Sequence, residues 1–196
     1  MEQTLPQNKN IFTLGITAHS TINIEKFKNM INSIETAINQ YQKNPNNVDC
    51  EIPPIEILMA IDTVREIEGN KQQMEEFNKQ LNCLREICKT KHIPFQTIET
   101  TDNLRMVGTS RNNIMHLCKT PYFAFLDGDD PITPEAFETV VSVIEDNEQL
   151  EQPLPTIDLG QCGRSVWNIL YKTDKVRQEN MSFVKIPNED GFFLEI

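Results

Sequence analysis

The sequence predicts a single α/β domain with a mostly parallel central sheet flanked by helices. Short apolar, β-rich runs alternate with stretches whose apolar residues recur every three or four positions, the order that βαβ units produce. A length of 196 residues suits one domain with a substantial core rather than two. A third observation puts a site on this framework. In Phe125-Leu126-Asp127-Gly128-Asp129-Asp130 an apolar strand runs straight into three carboxylates within four residues.

Ile11 to Thr17 is the first strand, a β-rich run ending in Ala18-His19-Ser20-Thr21. Ile24, Phe27, Ile31, Ile34, Ile38 and Tyr41 then lay one apolar stripe on a long helix capped by Thr21 or Asn23. The polar run Lys43-Asn44-Pro45-Asn46-Asn47 stops it. Ile55 to Ile61 reads as a buried strand terminating at Asp62. Met74, Phe77, Leu81, Leu84 and Cys88 form a second helical stripe, and Phe95 to Glu99 a third strand. Thr109 or Ser110 caps a short helix carrying Ile114, Met115, Leu117 and Cys118, and the strand Tyr122 to Leu126 follows. Thr133 caps a further helix, with Pro134 at its first position and Phe137, Val140, Val141 and Ile144 on its buried face. After Asn147 the pattern weakens to a loop at Gln152-Pro153-Leu154-Pro155, an apolar stretch from Val166 to Tyr171 and a strand from Ser182 to Ile186. Residues 1–10 read as a flexible N-terminal tail, leaving 11–196 as the domain.

Composition removes several classes of function. A net charge of -11 fits poorly with nucleic acid, whose partners are normally basic. No apolar run approaches the ~20 residues of a membrane span, and Met1 to Asn10 lacks the basic-then-apolar order of a signal peptide. The five cysteines are odd in number and scattered, without a Cys-x-x-Cys pair, which argues against a zinc site and a disulfide framework. A reducing, cytoplasmic setting is the resulting expectation. Cys83 and Cys88 read as small packing residues on the second helix.

Carboxylates as close as Asp127, Asp129 and Asp130 repel one another, so a positive partner is expected; a divalent cation bound through hard oxygens is the simplest. The bland alternative is an acidic turn that caps the next helix. A calcium EF-hand loop fits badly, because Ile132 stands where the loop needs glycine and a strand precedes it. A magnesium-dependent phosphotransferase would need its own phosphate loop, and no Gly-x-x-x-x-Gly-Lys run exists. Upstream, Gly108-Thr109-Ser110-Arg111-Asn112-Asn113 stands at the expected helix start, where Arg111 is placed to reach a diphosphate.

The ordered set Thr109-Ser110-Arg111-Asn112, then Phe125 to Asp130, then Glu189-Asp190 resembles the family 2 glycosyltransferases with the GT-A fold. Trp167 to Lys172 and Met181-Ser182-Phe183 add looser likeness. The resemblance implies a GT-A-like, Rossmann-related sheet and an inverting transfer of sugar from a nucleoside diphosphate donor, UDP-linked by family habit. The acceptor would be a hydroxyl, a glycan's first among the candidates. By the same resemblance, Asp62 and the loop Thr17-Ala18-His19 would contact the nucleotide base, and Arg111 would help hold the donor. Asp127, with Gly128 beside it, would face the ribose or the metal shell; Asp129 would ligate Mn²⁺ or Mg²⁺, and Asp190 would be the general base. The chain departs from the pattern at Ile61-Asp62-Thr63-Val64-Arg65, where family members commonly carry Val-Asp-Asp-Gly-Ser, and at His19, where Asn is frequent. Two competitors remain at this point: a non-catalytic nucleotide-sugar-binding module of the same fold, and a metal-dependent nucleotidyltransferase.

Overall fold

A computed structural model describes residues 10–47, 52–63, 71–100, 107–150, 156–158, 169–183 and 193–195. Residues 1–9 of the expected 1–10 tail, the loop at 152–155, Trp167, the end of the expected strand at 184–186 and the Glu189-Asp190 pair lie outside the described residues.

Strand β1 (Phe12–His19) is buried from Phe12 to Ala18 and exposed only at His19, as a strand covered on both faces must be. Helix α1 (Ile24–Lys43) follows, and Asn23 is its cap, the side-chain oxygen accepting from the Lys26 N–H. Its stripe of Phe27, Ile31, Ile34, Ile38 and Tyr41 is buried as expected. Strand β2 (Ile55–Asp62) and helix α2 (Lys71–Thr90) come next. Phe27 stacks on Phe77 at 5.0 Å between ring centres, locking α1 to α2. The chain continues through β3 (Phe95–Thr100), α3 (Val107–Leu117), β4 (Tyr122–Asp127) and α4 (Ala136–Leu150). Four short pieces, β5 (Thr156–Asp158), β6 (Ile169–Lys172), α5 (Thr173–Gln178) and β7 (Met181–Phe183), lead to β8 (Phe193–Glu195).

The main sheet runs β3-β2-β1-β4-β6-β5. Its first four strands are parallel, while β6 pairs antiparallel with β4 and β5 antiparallel with β6. β7 and β8 form a separate antiparallel ribbon. One sheet face presents Leu14, Ile16, Ile57, Met59, Ala124 and Leu126 to the larger core, which includes α1, α2 and α4 residues. The opposite face presents Leu58, Ala60, Phe123 and Phe125 to a smaller core with Ile114, Tyr171 and Phe183. Gly15 lets α3 close on this face: a Cβ there would stand 2.6 Å from the Ile114 side chain.

Several boundaries differ from the sequence reading. Helix α3 starts at Val107, so Thr109 and Ser110 lie within its first turn rather than capping it. Leu117, expected on a packed face, is 41% exposed, and Cys118 falls just past the helix. Pro134 and Glu135 form a turn before α4 instead of its first residues. β5, α5 and β8 were not anticipated, being too short to carry a period.

Cys83 is exposed rather than packed, whereas Cys88 is buried and burial pushes its thiol up to about 12. Alkylation at pH 8 followed by peptide mapping should therefore label Cys83 in the folded protein and Cys88 only after unfolding. Because the unfolded Cys88 thiol ionises first as pH rises, its contribution is neutral below about 8.5 and favours unfolding above that.

Candidate active site at the sheet's switch point

From β1 the chain moves outward through β2 and β3, then returns to place β4 on the other side of β1. Between β1 and β4 the direction of winding therefore reverses. In open α/β sheets the crevice at that reversal, beyond the carboxyl ends of the strands, is where ligands bind. Thr17 of β1 and Asp127 of β4 are register partners at that point, and His19 is the register partner of Asp62 one strand over.

Asp127 ends its strand about one-third exposed and heavily engaged. The Thr17 hydroxyl donates to its Oδ1 at 2.8 Å. From α3, one terminal nitrogen of Arg111 donates to both carboxylate oxygens, at 3.0 and 3.3 Å. Arg111 is only 1% exposed, and its guanidinium carbon lies 5.4 Å from the Phe183 ring centre and 5.9 Å from that of Phe125. A charge this deeply buried needs its counter-charge, so the pair fixes both partners. The positive group that the acidic run demanded is, for Asp127, an arginine held between rings. Arg111 occupies the second turn of α3 rather than the helix start, and reaches the carboxyl end of β4.

Gly128 continues the turn, its N–H donating to the Thr17 carbonyl at 2.7 Å. A Cβ on Gly128 would meet that carbonyl oxygen at 2.9 Å and the Ala18 Cβ at 3.0 Å. Backbone cannot swing aside as a side chain can. Gly128→Ala should cost about 1–3 kcal/mol in denaturant unfolding, as overpacking does, by lifting the acidic turn from β1. Wild-type stability in that variant would contradict the close fit.

Asp129 is 42% exposed and meets Lys26 Nζ, from the first turn of α1, at 3.2 Å. Asp130 closes the turn, its N–H donating to the Asp127 carbonyl at 3.0 Å. Partial burial holds the Asp130 carboxyl above the usual range; the charges of Asp129 and Asp127 add to this and Lys26 opposes it.

Thr17, Arg111, Asp127 and Gly128 are thus in direct contact, and Asp129 follows at once. Ala18 is buried, Asp62 is half-buried, and His19 is exposed with its Nδ1 2.9 Å from the Thr21 hydroxyl. Asp190 lies outside the described residues. Sequence reasoning missed Lys26 and Ser20. No local pattern joins Lys26 to an aspartate 103 positions away. The Ser20 hydroxyl is buried at the end of β1 and has no hydrogen-bond partner among the described residues. Among the described residues no three His, Cys, Asp or Glu side chains cluster as a ready-made metal cage. Two hard carboxylates at one turn nevertheless fit Mn²⁺ or Mg²⁺, since magnesium in particular is commonly held by one or two carboxylates with substrate phosphate and water completing its shell.

The family description Glycosyl transferase family 2 matches residues 25–193, most of the chain and all of this site except the end of β1, which reads from sequence as a loop, and Ser20 just past it. The chain belongs to glycosyl transferase family 2. That family consists of glycosyltransferases, and the α/β architecture agrees with it. No curated protein matches the sequence. Among solved structures, S. aureus TarS 1-349 superposes with a TM-score of 0.59 at 16% identity, covering 93% of this chain and 53% of that one. The same fragment in complex with UDP-GlcNAc gives a TM-score of 0.54 at 15% identity, covering 91% and 50%. In complex with UDP it also gives 0.54 at 15% identity, covering 91% and 52%. This family 2 chain therefore shares the TarS fold and spans about half the length of those TarS chains. Among the described residues no helix is long and apolar enough to cross a membrane.

Proposed function

We propose that this chain binds a nucleoside diphosphate sugar and transfers the sugar, with inversion, to an acceptor hydroxyl. The Thr17–Asp127–Arg111 assembly at the switch point carries the reading, because it builds a rigid, charge-compensated edge in the crevice where such sheets take their ligands. UDP is the nucleotide we assign, since the TarS fragment of the same fold is known in complex with UDP and UDP-GlcNAc. A glycan hydroxyl is the proposed acceptor.

The roles assigned here are supported by position for the described residues and by the family resemblance for Asp190. Asp62 and Thr17-Ala18-His19 flank the crevice at neighbouring strand ends, which suits contact with base and ribose. Arg111 holds Asp127 in place, and Asp127 with Asp129 would hold Mn²⁺ or Mg²⁺. That cation, when bound, supplies positive charge to the diphosphate as it departs. Lys26 would be released from Asp129 on cation binding. Asp190 would take the proton from the acceptor hydroxyl, whose oxygen bonds to the sugar carbon as the bond to the diphosphate oxygen breaks.

Thermal unfolding with UDP, with and without Mn²⁺, tests this directly. A nucleotide at ~100-fold its dissociation constant should add about 2.7 kcal/mol, and only when the cation is present. Asp129→Ala should abolish the gain. No shift with any nucleoside diphosphate would sink the reading. Release of pyrophosphate from a nucleoside triphosphate would point instead to a nucleotidyltransferase, and binding without turnover to a non-catalytic module.

A further inference from the structure

We propose that Asn112 is a positioning residue: its carboxamide clamps Phe183 over the Arg111 guanidinium and so fixes how Arg111 meets Asp127. The consequence for ligand binding rests on the donor-site reading above. Asn112 Nδ2 donates to the Phe183 carbonyl at 2.9 Å, and the Phe183 N–H donates to Asn112 Oδ1 at 2.8 Å. A side-chain amide thereby satisfies both backbone groups of one residue, as a neighbouring strand would, across 71 positions of sequence. Phe183 is 2% exposed and meets Phe125 edge to face, with ring centres 5.4 Å apart.

Consecutive residues on α3 consequently do different work. Arg111 reaches the carboxyl end of β4, while Asn112 holds the ribbon strand whose ring lies over that same guanidinium. An arginine has many rotamers, and a long side chain presented reproducibly to a carboxylate needs walls. Phe125 is one wall and belongs to the sheet. Phe183 is a second, on a strand described over three residues, and Asn112 holds both of its backbone groups. Over the described residues the ribbon pairs at three positions, which gives few ladder bonds to hold it.

The test uses the full chain and three variants: Asn112→Leu, Phe183→Leu and Arg111→Lys. Phe183→Leu keeps both backbone bonds but removes the ring, and so guards against Asn112→Leu failing to fold. The Arg111 Nε–H NMR signal, assigned by its disappearance in Arg111→Lys, should be protected from exchange in wild type. It should lose that protection in both Asn112→Leu and Phe183→Leu. By titration calorimetry with Mn²⁺, each should bind UDP about 10-fold more weakly, the low end of what outer partners of a ligand-holding residue contribute. Asn112→Leu added to Arg111→Lys should weaken UDP no further, whereas a purely structural role would act in both backgrounds. Unchanged protection of the Arg111 signal overturns the positioning role, whatever the nucleotide does. Wild-type protein that ignores UDP while the signal still responds to Asn112→Leu would sink the donor-site reading alone.

Discussion

Arg111→Met should destabilise the domain by about 3–5 kcal/mol in urea unfolding, the usual consequence of stripping one partner from a buried ion pair. Methionine keeps much of the volume between the Phe125 and Phe183 rings, so a cavity is not the main cause. The loss comes from Asp127, whose carboxylate would retain the Thr17 hydroxyl but no cation. Asp127→Asn alone should also destabilise, because Arg111 is 1% exposed and its charge would then lack a carboxylate. Asp127 itself is about one-third exposed, which lets water soften the first effect toward the lower bound. The decisive measurement is the double variant Arg111→Met with Asp127→Asn. Removing both charges together should recover at least half of the combined single losses, since replacing a whole buried pair is often close to neutral. Strict additivity would mean that the two groups contribute separately and that the pair is incidental.

That result would also show which parts of the site a sequence can reveal. The acidic run was legible because an apolar strand ending in three carboxylates is a local conflict, and local conflicts mark sites. Strand and helix order was legible for the same kind of reason: α1 and α2 carry long apolar stripes, and β1, β2 and β4 are buried runs bounded by polar turns. Which positive charge answers the aspartates was not legible. Lys26 reaches Asp129 and Thr17 reaches Asp127 only because the sheet brings their strand and helix ends together, and register has no local signature. The start of α3 was misplaced because Thr109 and Ser110 look like caps while Val107-Gly108 do not, yet Gly108 and Ser110 are buried within the helix. Asn112 stood in the quoted motif without a role of its own. Its partner Phe183 lies on a strand of three residues that sheet pairing, not periodicity, defines.

Asp190→Asn should leave the fold and the Mn²⁺-dependent binding of UDP intact while slowing sugar transfer about 10²–10⁴-fold, the range over which a positioned general base acts. The role proposed for Asp190 comes from the family resemblance, and the chemistry of transfer agrees with it. An acceptor hydroxyl is a weak nucleophile at neutral pH, and displacing a diphosphate with inversion requires attack from the face opposite the leaving group. The base must therefore come from a part of the chain remote from Asp127 and Asp129. Asp190 meets that condition in sequence, 60 positions after Asp130. An asparagine cannot accept the proton yet matches the carboxylate in size, so any loss should fall on kcat with the donor KM nearly unchanged. A variant that transfers sugar at the wild-type rate would assign the proton to another group. A variant that loses UDP binding as well would make Asp190 part of the donor pocket instead.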